Sequence, residues 1–280
     1  MKNLITRLIT GIVYVALVCL GIITNSYTFL ALFSLVIILC LKEFYSLINT
    51  QKKTKINLYY NCFGGLLLFV CAFLQVSETS VFPGYSIFSF YLLYIVILLI
   101  AELYEKQPDP VSHVAYILLG QLYIALPISI LNLIVFRGMT TDGSPMYNSL
   151  LVLSLLVFIW VNDSGAYAIG VLFGKHRLFE RISPKKSWEG FFGGLIFTLA
   201  SSFIFAHFEP KIPYYHWLGL SLAIVVFGTW GDLIESLIKR TLNVKDSGQS
   251  LPGHGGYLDR FDSFLLAIYA LLFYVQLFQL

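Results

Sequence analysis

The sequence predicts an all-α, polytopic integral membrane protein with about nine transmembrane helices and a cytoplasmic N-terminus. Three observations predict it: 58% of the 280 residues are hydrophobic, only 12% are charged, and the mean hydropathy is +0.80. A soluble domain carries about 25% charged residues, so 18 basic and 15 acidic side chains are too few to cover a water-facing exterior of this size. Nine spans of roughly 20 residues consume about 180 positions and leave about 100 for connections. No room is left for a separate aqueous domain.

Apolar runs of span length fall at 8–24, 27–41, 58–75, 86–101, 111–136, 149–173, 189–207, 216–238 and 263–279. The second and fourth are nearest the lower length limit, and Pro127 in the fifth implies a kink that neighbouring helices must satisfy. The first run follows Lys2 and Arg7, as in a secretory signal, but no small-residue cleavage site follows it and Val18 precedes Cys19, so it reads as a permanent helix. With the N-terminus in the cytoplasm, only Arg137 and Lys211 of the 18 Lys and Arg residues fall on the far side. That bias fixes orientation. A net charge of +3 gives no ground for a nucleic-acid partner. Cys19, Cys40, Cys62 and Cys71 lie in apolar stretches without C-x-x-C spacing and read as small packing residues rather than ligands or disulfides.

Residues 1–150 form an N-terminal set of helices with ionic groups almost only in loops, and 151–280 carry the chemistry, with cytoplasmic loops at 174–188 and 239–262. An Asp at the centre of a span costs about 2.5–3.5 kcal/mol and marks a cavity or a partner. Asn162 and Asp163 break the sixth span; Asp232, Glu235, Ser236 and Lys239 form one stripe of the eighth. A salt bridge from Asp232 or Glu235 to Lys239 is the plain structural reading. Acidic and basic groups nevertheless converge at one depth, which suits a polyanionic ligand held through a divalent cation: carboxylates take the hard metal and lysines the remaining phosphate oxygens. Ser183, Pro184, Lys185, Lys186 and Ser187 precede the seventh span, an arrangement suited to phosphate. Gly190 and Gly194, in G-x-x-x-G spacing, read as helix-packing residues, compatible with a homodimer and equally with packing inside one chain. In the long loop from Ser236 to Asp262, Pro252, Gly253, Gly255 and Gly256 specify turns around His254, and their amides are available to a phosphate. His254 reads equally as a structural hydrogen-bonder and as a catalytic group. Intramembrane carboxylates also serve ion transporters, but those commonly have repeated halves, and here the polarity gathers in one half.

Ser236, Lys239-Arg240, Lys245-Asp246, Gly248, Pro252, His254-Gly255-Gly256, Asp259-Arg260 and Asp262 resemble the signature of the phosphatidate cytidylyltransferases, or CDP-diacylglycerol synthases. Gly231-Asp232-Leu233 with Glu235, Asn162-Asp163 with Tyr167, and the stretch Ser183 to Gly190 extend the likeness over residues 160–262; Tyr257 departs from it, standing where the family prefers an apolar residue. The resemblance implies a magnesium-dependent nucleotidyltransferase of phospholipid biosynthesis that joins CTP to phosphatidate, multi-pass in the inner (plasma) membrane, with its site facing the cytoplasm. It implies Asp232, Asp259 and Asp262 as metal ligands, with Asp246 and Glu235 as further candidates and room for a second, monovalent cation. Asp232, Asp259, Lys239, Asp246 and His254 are the catalytic set it implies. Asn162, Asp163, Ser183, Lys185, Lys186, Ser187, Arg240, Lys245 and Arg260 are the substrate-binding set. A CTP-using lipid kinase or a CDP-alcohol phosphotransferase would keep the membrane and metal and change the chemistry.

Overall fold

The computed structural model describes residues 2–77, 86–139, 141, 144–248 and 255–280, with side chains from Gly11 onward except that of Met139. A helix occupies each of the nine apolar runs: α1 (Lys2–Ile23), α2 (Ser26–Lys52), α3 (Leu58–Val76), α4 (Phe88–Glu102), α5 (Pro110–Gly120) continuing through a π turn into α6 (Leu126–Val135), α7 (Leu150–Phe173), α8 (Trp188–Phe208), α9 (Tyr214–Thr241) and α10 (Leu258–Leu277). Among the described residues six rods are long and apolar enough to cross a membrane, namely α2, α3, the α5–α6 rod, α7, α8 and α9. The chain is therefore built as a membrane protein. Two short antiparallel hairpins interrupt the helices, β1 (Gly138–Met139) with β2 (Pro145–Met146) and β3 (Arg177–Phe179) with β4 (Ser183–Ser187). None of the four cysteines is disulfide-bonded.

The chain divides into two compact units. The first comprises Met1–Leu150 and Leu242–Arg260; the second comprises Leu151–Thr241 and Phe261–Leu280. Leu242–Arg260 thus belongs to the first unit together with the N-terminal helices.

In the first unit, polar residues at helix starts satisfy amide protons that lack an intrahelical acceptor. Asn25 and Thr28 form a reciprocal capping box on α2, which ends at Lys53 in the left-handed region (φ 54°). Asn57 caps α3 through Tyr60 N, and Asp109 caps α5 through Ser112 N, with Pro110 at the position that tolerates a missing N–H. The buried face of α2 runs Phe29, Phe33, Val36, Ile37, Cys40, Leu41, Phe44 and Ile48 at helical spacing. The irregularity expected at Pro127 takes the form of the π turn Gln121–Ala125 just ahead of it. Gln121 Nε2 donates to Asn61 O (2.8 Å) and Tyr45 OH (3.1 Å), while Tyr45 OH donates to Ile117 O (2.8 Å). This buried network joins α2, α3 and α5 where apolar contact alone is little better than lipid. His113 and Glu102, 2.7 Å apart, close the α4–α5 turn.

In the second unit, glycine sets the spacing between helices. A Cβ at Gly190 would lie 2.9 Å from the Ala166 carbonyl oxygen, and one at Gly194 would lie 2.7 Å from that of Asn162. Gly190 and Gly194 thus pack α8 against α7 within one chain. Because Gly194 faces backbone that cannot swing aside, Gly194→Ala is expected to cost about 1–3 kcal/mol, read as a lower melting temperature of the detergent-solubilised protein.

Candidate functional site

The second unit contains a cavity of about 290 Å³ lined by Asn162, Asp163, Tyr167, Lys185, Lys186, Ser187, Asp232 and Ser263 among others, near the lower end of the size range for small-molecule pockets. The elements that build it are set by close approaches of backbone. On α9, a Cβ at Gly231 would sit 2.8 Å from the carbonyl oxygen of Asp262. That contact seats Asp232 beside α10, and both Asp232 and Asp163 act electrostatically on Asp262, with Lys186 opposing them. On α7, Asn162 is buried at the crossing with α8, and its side-chain carbonyl has no hydrogen-bond partner among the described residues.

The basic contribution comes from the hairpin. Ser183 to Ser187, read by sequence as the lead-in to a helix, form strand β4, which pairs Ser187 with Arg177 and Ser183 with Phe179. Only Ser187 performs the helix-start role, accepting from Gly190 N (3.2 Å) as the N-cap of α8. Lys185 and Lys186 both reach the cavity. Lys186 Nζ lies 2.5 Å from Asp232 Oδ2, and Ser236 Oγ donates to Asp232 Oδ1 (3.2 Å). At the base of the hairpin Glu189 accepts from Lys175 N (3.1 Å) and His176 N (3.2 Å) and meets His176 Nδ1 at 2.6 Å. Sequence reading assigned Glu189 no task; its place in the first turn of α8, two residues past a serine cap, is the signal that pointed to one.

Asp232 and Glu235 share a stripe of α9 but have different partners. Glu235, 1% exposed, is ion-paired with Lys239 one turn on, the salt bridge that the plain structural reading allowed. Removing one member of a buried pair strands the other charge at about 3–5 kcal/mol. Lys239→Met is therefore expected to lower the melting temperature sharply, and the double replacement Glu235→Gln/Lys239→Met to recover most of the loss. Arg240 is exposed at the end of α9.

The remaining motif residues lie in the first unit. Lys245 and Asp246 are exposed while Ser247 is buried between them and Gly248. Asp259 Oδ2 accepts from Ser247 N (3.1 Å) and Gly256 N (2.8 Å), and Arg260 is exposed. Gly255 requires glycine, since its φ is +79°. Sequence reading gave the loop's glycine amides to a phosphate; at Gly256 a protein carboxylate takes that place. Glu43 of α2 was missed. It accepts from Tyr257 N (2.8 Å) and from Ser247 Oγ. A glutamate beside Lys42, just past the end of the second apolar run, was the available signal. His254, with Pro252 and Gly253, lies outside the described residues.

The cavity of this helical membrane protein brings together carboxylates, lysines and a buried amide, groups able to meet phosphate oxygens and a hard cation. A family model described as the cytidylyltransferase family matches residues 5–278, and the chain belongs to that family. It is 35% identical over 285 residues to the phosphatidate cytidylyltransferase of Bacillus subtilis (strain 168), covering 99% of this chain and 98% of that protein. Against the protein of the same name from Haemophilus influenzae it is 45% identical over 129 residues, 44% of this chain and 45% of that one. The Staphylococcus aureus (strain COL) protein of that name matches at 45% identity over 118 residues, 42% of this chain and 45% of the other.

Proposed function

We infer that the chain is a phosphatidate cytidylyltransferase: it transfers the cytidylyl group of CTP to phosphatidate, giving CDP-diacylglycerol and pyrophosphate for phospholipid synthesis. The observation that carries the reading, beside family membership, is the single cavity at which Asp163, Asp232, Lys185 and Lys186 meet. In the reaction a phosphate oxygen of the lipid attacks the α-phosphorus of CTP; the bond to the bridging oxygen of the β-phosphate breaks and pyrophosphate departs. No covalent enzyme intermediate is required, because positioning and charge neutralisation supply most of the acceleration in such transfers.

The donor set fits a hard divalent cation, which takes oxygen ligands: Asp232 and Asp262 are neighbouring carboxylates, and Asp163 adds a third charge. We assign magnesium to Asp232 and Asp262. Asp259 enters on the family motif alone. When bound, magnesium neutralises charge on the triphosphate and on the departing pyrophosphate. Lys186, Lys185 and the serines of β4 receive phosphate oxygens, Asn162 and Asp163 orient the nucleotide, and Lys239, Arg240, Lys245, Asp246, His254 and Arg260 enter as further functional residues on the family motif alone. Nine spans, a cytoplasmic N-terminus and a site open to the cytoplasm of the inner membrane complete the proposal, in keeping with the distribution of basic residues. Purified protein in vesicles containing phosphatidate, given CTP and magnesium, is expected to release pyrophosphate and form CDP-diacylglycerol; no turnover at any magnesium concentration would overturn the reading.

A further inference from the structure

We propose that Glu43 of α2 is a positioning residue that fixes the segments 244–248 and 255–257, and that this anchor is needed to present Lys245 and Asp246. The inference rests on the proposed reaction for its kinetic consequence but on geometry for its cause. One oxygen of Glu43 accepts from Tyr257 N at 2.8 Å and the other from Ser247 Oγ. Asp259 takes the amide protons of Ser247 and Gly256. Two protein carboxylates therefore occupy donors at both ends of the loop, drawing Ser247 inward to 6% exposure. Its neighbours Lys245 and Asp246 are turned to the exterior in consequence.

The glycines confirm how closely the carboxylate is held. A Cβ at Gly248 would lie 2.8 Å from Glu43 Cδ, and one at Gly256 would overlap Glu43 Oε1. Any larger residue at either position would expel Glu43 from the loop. These glycines are thus explained by a carboxylate of α2 pressed against the backbone.

The test combines hydrogen exchange with kinetics on the full chain in detergent or vesicles. Glu43→Ala is expected to raise exchange at the amides of 244–248 and 255–257 by about tenfold or more, the worth of a hydrogen bond to a charged group. Catalytic efficiency with CTP is expected to fall on the order of 10²-fold, the scale of a 1 Å misplacement. Glu43→Gln keeps a carbonyl for Tyr257 N and offers an amide to Ser247 Oγ, so it should restore exchange protection and return activity to within about fivefold of the parent, less than a kcal/mol. Native exchange and activity in Glu43→Ala would overturn the proposal. So would a Glu43→Gln variant as inactive as Glu43→Ala with a protected loop, which would make the charge itself the functional element. If Glu43→Ala loosens the whole chain, Ser247→Ala decides: faster exchange at 244–248 and 255–257 without a rise in the helices supports the anchor, and none overturns it. The exchange result needs no CTP, so it stands or falls apart from the assigned reaction.

Discussion

Asp232→Asn is expected to lower turnover on the order of 10³-fold, since a bound cation supplies several kcal/mol to the transition state and each tenfold is about 1.4 kcal/mol. Melting temperature should not fall with it. Asp232 is 28% exposed, so its pair with Lys186 is partly screened and contributes little stability. It and Asp262 repel each other, and neutralising it relieves that repulsion. Activity and stability should thus move apart, as at sites that hold like charges together for a ligand. Turnover, magnesium dependence and thermal unfolding measured on one preparation check this. A normal rate at saturating magnesium would remove Asp232 from the metal set.

The positions of the helices were legible because bilayer thickness imposes a length on apolar runs, and each of the nine runs coincides with a helix to within a few residues at most ends. Larger differences occur where a helix extends into water: α2 continues eleven residues past its apolar run to Lys52, through Lys42 and Glu43. That amphipathic extension hid Glu43, because a window searching for apolar span stops where the first charges begin. Hairpin β3–β4 was hidden for a different reason. Residues 174–188 have five basic residues and no period-2 alternation of apolar side chains, so nothing marked a strand; backbone pairing and the Glu189–His176 clasp order the segment instead. Partner choice on α9 was equally unreadable. Asp232, Glu235 and Lys239 share a face, but which acid takes Lys239 depends on Lys186 arriving from β4, more than forty residues earlier. Residue types in the candidate site were thus visible in sequence, whereas their pairings depended on glycine-mediated approaches such as that of Gly231 to Asp262.

Lys186→Ala is expected to move two measured quantities in opposite directions. Its ammonium lies 2.5 Å from Asp232 Oδ2, occupying an oxygen that a cation would take, and it opposes the charges around Asp262. Removing it leaves those carboxylates more negative, so the magnesium concentration giving half-maximal rate should fall several-fold, about 1 kcal/mol of attraction. The same change removes a charged donor to phosphate, worth about 1.5–3 kcal/mol, so catalytic efficiency with CTP should drop about 10- to 10²-fold. A residue present only to satisfy topology would change neither quantity. A lysine serving only as a salt-bridge partner would change the magnesium requirement and leave CTP use intact. Magnesium and CTP titrations of the variant separate these roles, and only the combination of tighter metal dependence with poorer nucleotide use places Lys186 where Asp232 releases it to the triphosphate.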